Sequence, residues 1–174
     1  MNLYFRLIAQ RFSLRSLPQQ HATESSRQCF RVWPSDAAFS IDHLTNSRVY
    51  SFVDLMRIRW LQQVGWYRVM KQHKILGVIS AQQTSFYGMI PLLTRFEVET
   101  KLVYWDEKYA YFENRFTRKG KLCIMQLARI AFVDLRSKKP VRLDAMLDEL
   151  ELDVDPIKLP KHIASWQASL SHRY

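Results

Sequence analysis

Glycine is scarce, with four in 174 residues. No Gly-x-Gly-x-x-Gly and no Walker pattern occurs, so a glycine-rich phosphate cradle is not expected. Cysteine is scarcer still. Cys29 and Cys123 stand far apart in strand-like runs and read as buried, reduced thiols. No Cys/Cys or Cys/His pair has metal-ligand spacing, and the five histidines are scattered, so neither a metal nor a cofactor is expected. An uninterrupted apolar run of membrane-spanning length is also missing. The N-terminal stretch Met1 to Leu14 is broken by Arg6 and Arg11, too short and too charged to cross a bilayer. It has neither the apolar core nor the small-residue cleavage site of a signal peptide, so a cytoplasmic location is expected. Leu3, Leu7 and Leu14 fall near one face of a short helix. Two readings of residues 1–14 stay open: packing on the chain's own domain or a partner, and peripheral membrane contact.

Apolar residues make up 48% of the chain and aromatics 13%, which gives one domain a real core and excludes a disordered polypeptide. The net charge is +10, which suits nucleic acid, anionic lipid or an acidic substrate. No nucleic-acid-binding motif and no dense basic helix is present, so nucleic acid is not an expected partner. The charge is uneven. Between Leu143 and Asp155 lie six carboxylates and no Lys or Arg.

Hydrophobic spacing predicts the order of elements. Ser16 to Arg27 is polar and reads as a linker. Gln28 to Ser35 reads as a strand stopped by Pro34. A helix follows, with Asn46 as N-cap and Thr45 and Ser47 as rivals, running to about Trp66. Val49, Phe52, Val53, Met56, Trp60 and Val64 give it one wide apolar face, which needs a sheet to cover it. Lys74 to Tyr87 is the next strand. Arg95 to Trp105 alternates, with Phe96, Val98, Thr100, Leu102 and Tyr104 on one face and Arg95, Glu97, Glu99 and Lys101 on the other. Lys108 to Thr117 and Lys121 to Leu135 complete the sheet, the last apolar enough to be central. Leu143 to Leu150 and Lys161 to Ser171 read as short helices. The pattern alone gives an α+β domain, a sheet laid on one helix. Its division is an N-terminal extension over 1–27, a main domain over 28–136 and an appendage over 137–174.

The stretch from Phe30 to Trp60 carries the chemistry. A strand delivers Asp36 to a loop that runs into a helix N-terminus, where unpaired backbone N–H groups and the positive dipole end gather. A carboxylate beside such donors can attack, or activate water against, a carbonyl whose oxyanion the donors hold. Arg31, Val32 and Asp36, then His43, Asn46 and Arg48, then Asp54 and Arg57 on the helix, resemble in order and spacing the motifs of hotdog-fold acyl-CoA thioesterases of the 4-hydroxybenzoyl-CoA thioesterase-like group. The likeness continues through Trp105 to Lys108 and covers about residues 28 to 135.

The resemblance implies a hotdog fold, an antiparallel curved sheet wrapped around one long central helix. It implies hydrolysis of acyl-CoA or acyl carrier protein thioesters, with Asp36 as nucleophile or general base and His43 and Asn46 beside it. Asp42, Thr45, Arg48 and Asp54 are the expected substrate contacts. An apolar tunnel beside the helix would take the acyl chain and basic residues the phosphates. A homodimer or homotetramer with sites between subunits is also implied. The sequence departs from the family pattern where Ala38 replaces a second Asp, Thr45 the first Asn of a pair, and Val49 a Tyr. Those departures keep a second reading open, a non-catalytic hotdog protein that binds acyl thioesters or a partner. Gln82, Gln83, Thr84 and Ser85 interrupt an apolar strand and are expected to line a pocket or to bond the loop.

Overall fold

The computed structural model describes residues 19–37, 42–149 and 157–171. The expected helix within residues 1–14 lies outside them. Strand β1 is Ser26–Arg31, and a single 3-10 turn, Pro34–Asp36, follows it. The strand is shorter than expected because the chain leaves the sheet before Pro34, which has no N–H to give a ladder. Helix α1 is Asn46–Gln63 and helix α2 is Trp66–His73. The sequence pattern ends the first helix at about Trp66 and does not announce the second. Gly65, at φ +81°, ends the first and starts the second, a conformation that side chains with a Cβ rarely adopt. Four long strands come next: β2 Ile75–Phe86, β3 Arg95–Trp105, β4 Tyr109–Arg118 and β5 Lys121–Asp134. A two-residue strand, β6 Pro140–Val141, and helices α3 Leu143–Glu149 and α4 Lys161–Ser171 complete the described chain.

The strands form one antiparallel curved sheet in the order β1-β3-β4-β5-β2, with β6 paired to β5. The concave face wraps α1. Val49, Phe52, Val53, Met56 and Trp60 are all 2% exposed or less, packed on Phe96, Val98, Phe112, Phe116 and Ile130. Trp60 meets Phe112 edge to face, with ring centroids 4.9 Å apart. Burying a side chain of this size contributes about 1.5–3 kcal/mol, so α1 is what gives the sheet its core.

Two expectations change on the sheet. A bulge between Leu102 and Tyr104 inserts one residue, so Tyr104 pairs with Tyr111 and leaves the face of Phe96 to Leu102. Cys29 is exposed, not buried, because alternation along β1 puts it on the same face as exposed Arg27 and Arg31. Cys123 is buried as expected. The convex face is not left to solvent. Ile163 and Trp166 of α4 cover Tyr111 and Leu127, and Gln167 Nε2 donates to the Tyr111 hydroxyl over 2.8 Å.

A polar row crosses the concave face at one level. Ser26, Thr100, Asn114, Gln126 and Thr84 are register partners across strands β1, β3, β4, β5 and β2. Thr100 Oγ1 donates to Asn114 Oδ1 and Asn114 Nδ2 to Gln126 Oε1, each over 2.6 Å. The ends tie to α1: Ser26 Oγ donates to Gln63 Oε1, and Thr84 Oγ1 to the Tyr50 hydroxyl over 3.3 Å. The helix is thereby fixed at both flanks.

Candidate functional site

Asp36 sits at the end of the 3-10 turn and is 3% exposed. Its Oδ2 accepts the Trp33 N–H over 2.9 Å, closing the turn that Pro34 opens. Its backbone oxygen accepts from both the N–H and the Oγ1 of Thr45, each at 3.2 Å. Thr45 is therefore welded to Asp36 and takes the N-cap position, with backbone in the extended region. This corrects the expected cap. Asn46 is instead the first helical residue, exposed on the first turn. Its N–H precedes the first intrahelical hydrogen bonds, as every helix start requires.

The same junction gathers other expected residues. Arg48 Nε donates to the Ser35 carbonyl over 3.1 Å, so this guanidinium clamps the turn. His43 Nδ1 lies 3.2 Å from Asp42 Oδ1, with the imidazole about one-third exposed and the carboxylate almost fully so. The backbone of this pair is stitched to the segment after β2: Leu44 N–H donates to Ile90 O, Leu92 N–H to Asp42 O, and His43 bridges Pro91. Leu93 N–H returns to Val32 O over 2.8 Å. The structure thus brings Asp36, Asp42, His43, Thr45, Asn46 and Arg48 to one corner.

Asp54 is placed elsewhere. It lies eight residues beyond Asn46, about 12 Å along the helix axis at 1.5 Å per residue. There it pairs with Arg57, as the i,i+3 spacing predicts, and the pair lines a cavity of about 820 Å³ between α1, α2 and β2. Ile58, Met70, Ile75, Phe112, Ile130 and Phe132 make the cavity mainly apolar. Its position beside the central helix is where an apolar tunnel was expected. Of the Gln82–Ser85 run in β2, Thr84 reaches Tyr50, while Gln82 and Gln83 are exposed.

Sequence reasoning passed over two groups. Arg118, Lys119 and Lys121, on the β4–β5 hairpin, surround a smaller recess of about 290 Å³ with Gly88 and Met89. These cations stand where β2 ends, since Tyr87 and Gly88 both donate to the Cys123 carbonyl. Exposed Trp33, Tyr87, Met89 and Leu93 lie around the same end of the sheet. The other group is the buried polar row. Gln126 was its visible trace, one amide inside an otherwise apolar central strand.

The architecture recurs in solved structures. A DHNA-CoA thioesterase from Staphylococcus aureus superposes with a TM-score of 0.65 over 84% of this chain and 93% of its own, at 13% identity. A 1,4-dihydroxy-2-naphthoyl-CoA thioesterase from Synechocystis gives 0.63 over 76% and 98%, at 10% identity. In sequence, the protein THEM6 of Drosophila melanogaster is 21% identical over 178 residues, covering 92% of each chain. The zebrafish (Danio rerio) THEM6 is 30% identical over 78 residues, 45% of this chain and 39% of its own. The family model described as the thioesterase-like superfamily matches residues 32–166, from the strand end before Asp36 to the helix on the convex face. The chain belongs to that superfamily and has its hotdog fold.

Proposed function

We propose that this protein hydrolyses acyl thioesters of coenzyme A or acyl carrier protein, releasing a carboxylic acid and a thiol. The observation that carries the reading is the buried Asp36 carboxylate, held at the start of α1 by the Trp33–Asp36 turn and the Thr45 bonds. Asp36 acts as nucleophile or general base toward the thioester carbonyl. The free N–H groups of the first helical turn, at Asn46, are the donors for the developing oxyanion. His43, with Asp42 behind it, lines the approach. The apolar cavity along α1 supports an acyl chain site, and Arg118, Lys119 and Lys121 support contact with the phosphates of the carrier. A homodimer is part of the proposal.

A second reading rests on a particular bond. Because Asp36 Oδ2 already accepts the Trp33 N–H, the carboxylate serves the turn. A protein in which that is its whole role binds acyl thioesters or a partner without turnover. Thiol release from short, medium, long and aromatic acyl-CoAs, compared between wild type and Asp36→Asn, separates the two. Release that disappears in the variant supports the hydrolase. Tight acyl-CoA binding with no release from folded wild type supports the binder.

A further inference from the structure

The three most exposed large apolar side chains among the described residues are Met89 at 65%, Tyr87 at 57% and Leu93 at 54%. All three stand on one connection, which begins after Phe86, the last residue of β2, and runs to the start of β3. Trp33, also exposed, joins them from the neighbouring turn, since Leu93 N–H donates to Val32 O. One exposed apolar residue is ordinary, but four gathered at one end of a sheet mark a contact surface. The backbone adds a second observation. Leu93 has φ +60°, a left-handed conformation that suits glycine and is strained for a residue with a Cβ. The chain thus displays a leucine to solvent from a strained position.

The surround is cationic. Arg31 and Arg95 are exposed register partners at the end of β1 and the start of β3. The Arg31 guanidinium lies 6.0 Å from the centroid of the Trp33 ring. Arg118, Lys119 and Lys121 stand on the β4–β5 hairpin, and Met89 lines their recess. Segments 31–35, 86–96 and 117–122 hold these five cations and no carboxylate. Of the carboxylates that border them, Asp36 is buried, Glu97 is partly buried and Asp42 lies against His43.

We propose that this end of the sheet docks on an anionic lipid surface. Tyr87, Met89, Leu93 and Trp33 enter the headgroup layer, where amphipathic rings keep one end apolar and the other wet. The five cations face the lipid phosphates. Apolar tips that project from two separate loops suit a soft, flat bilayer better than a folded acidic protein, whose apolar contacts need pockets matched in shape. The hairpin cations meet phosphate in a lipid and in a soluble carrier alike, so the apolar tips tell the two apart. Because Trp33 opens the turn that Asp36 closes, docking sets that corner against the bilayer. Docking is separate from hydrolysis and is read directly, so it holds or fails whatever Asp36 does.

The test is sedimentation of the full chain with vesicles of phosphatidylcholine, alone or with about 30% phosphatidylserine, at about 0.1 M salt. Wild type is expected to bind the anionic vesicles and to leave the neutral ones. Tyr87→Ser with Met89→Ser and Leu93→Gly should weaken binding at least about tenfold. All three positions are exposed and glycine suits the Leu93 backbone, so this variant should melt no lower than wild type, which excludes unfolding as the cause of the loss. Arg31→Gln with Arg95→Gln, which leaves the hairpin cations in place, should weaken binding about fivefold per charge removed. No binding by folded wild type, equal binding to neutral and anionic vesicles, or binding that survives the triple substitution would each overturn the proposal. Retention on immobilised polyglutamate as strong as on vesicles, and indifferent to the apolar substitutions, would assign the surface to an acidic protein and overturn it too.

Discussion

At the scale of single residues, Asp36 has two separable duties, and two substitutions divide them. Asp36→Asn keeps an acceptor for the Trp33 N–H and removes the charge, so the turn should hold while thiol release stops. Asp36→Ala removes the acceptor too and should lower stability by about 1 kcal/mol further, the usual loss for a side chain that caps a turn. Thermal melts of both variants beside the thiol assay check this. Equal melting temperatures would deny the carboxylate its structural duty, and unchanged turnover in Asp36→Asn would remove it from the chemistry. The polar row offers a second contrast. Gln126 Nε2 has no acceptor among the described residues, whereas Asn114 both donates and accepts. Gln126→Leu removes that orphan but leaves Asn114 Nδ2 without its acceptor, so it loses one bond at an unchanged number of orphans and should cost about 1 kcal/mol. Asn114→Leu strands Thr100 and Gln126 together and should cost about 2–6 kcal/mol, at about 1–3 for each buried group left unpaired. Denaturant midpoints of the two variants should therefore differ widely, and a similar loss in both would refute the assigned direction of the row.

At the scale of elements, much of the fold was legible because burial is periodic. The face of α1 through Val49, Phe52, Val53, Met56 and Trp60 and the alternation of Phe96, Val98, Thr100 and Leu102 both survive in three dimensions. What failed was phase. The Val103 bulge moves Tyr104 to the other face, and past Gly65, where the first helix is expected to end, the chain forms a second helix, Trp66–His73, that is not among the expected elements. A bulge leaves composition unchanged, so it does not show in a pattern. The site was legible in part: Asp36, Thr45 and Arg48 meet because Thr45 N–H and Oγ1 both bond the Asp36 carbonyl and Arg48 Nε bonds the Ser35 carbonyl. Asp54 keeps the motif spacing but stands at a different cavity. The turn after β5 gives a prediction in pH. Asp134 Oδ1 accepts the N–H groups of Arg136 and Ser137 over 2.6 and 3.2 Å, which hold its carboxyl below the usual value. A depressed folded pKa contributes stability above the unfolded value of about 3.9 and loses it as pH falls through the lower folded one. The melting-temperature gap between wild type and Asp134→Asn should therefore be fullest above about pH 5 and close in stronger acid. A gap that stays constant from neutral pH into that range would dismiss the turn as the cause.

At the scale of the whole molecule, the decisive feature is one sheet edge. Among the described residues β2 pairs only with β5, so twelve residues, Ile75–Phe86, present one free row of backbone donors and acceptors. Proteins that remain monomeric blunt such an edge with charge, proline or a covering segment. This strand contains neither a charged residue nor a proline. Leu76, Val78, Ile79 and Phe86 are 37–49% exposed along it. Pairing with a second copy across a two-fold axis satisfies the row and buries those side chains without requiring any change in the subunit. Sedimentation equilibrium of wild type at micromolar concentration should give the dimer mass. Val78→Lys with Ile79→Lys should give a folded monomer, since both positions are exposed and the core loses nothing. A monomeric wild type, or a lysine variant that dimerises as strongly, would exclude this edge. The monomer also reports on the site. If the Asp36 corner is completed by the neighbouring subunit, as the resemblance implies, thiol release per chain should fall with the dimer fraction as the variant is diluted. If each subunit is complete, release should follow chain concentration alone, and the dimer would serve to close the edge rather than to assemble the catalyst.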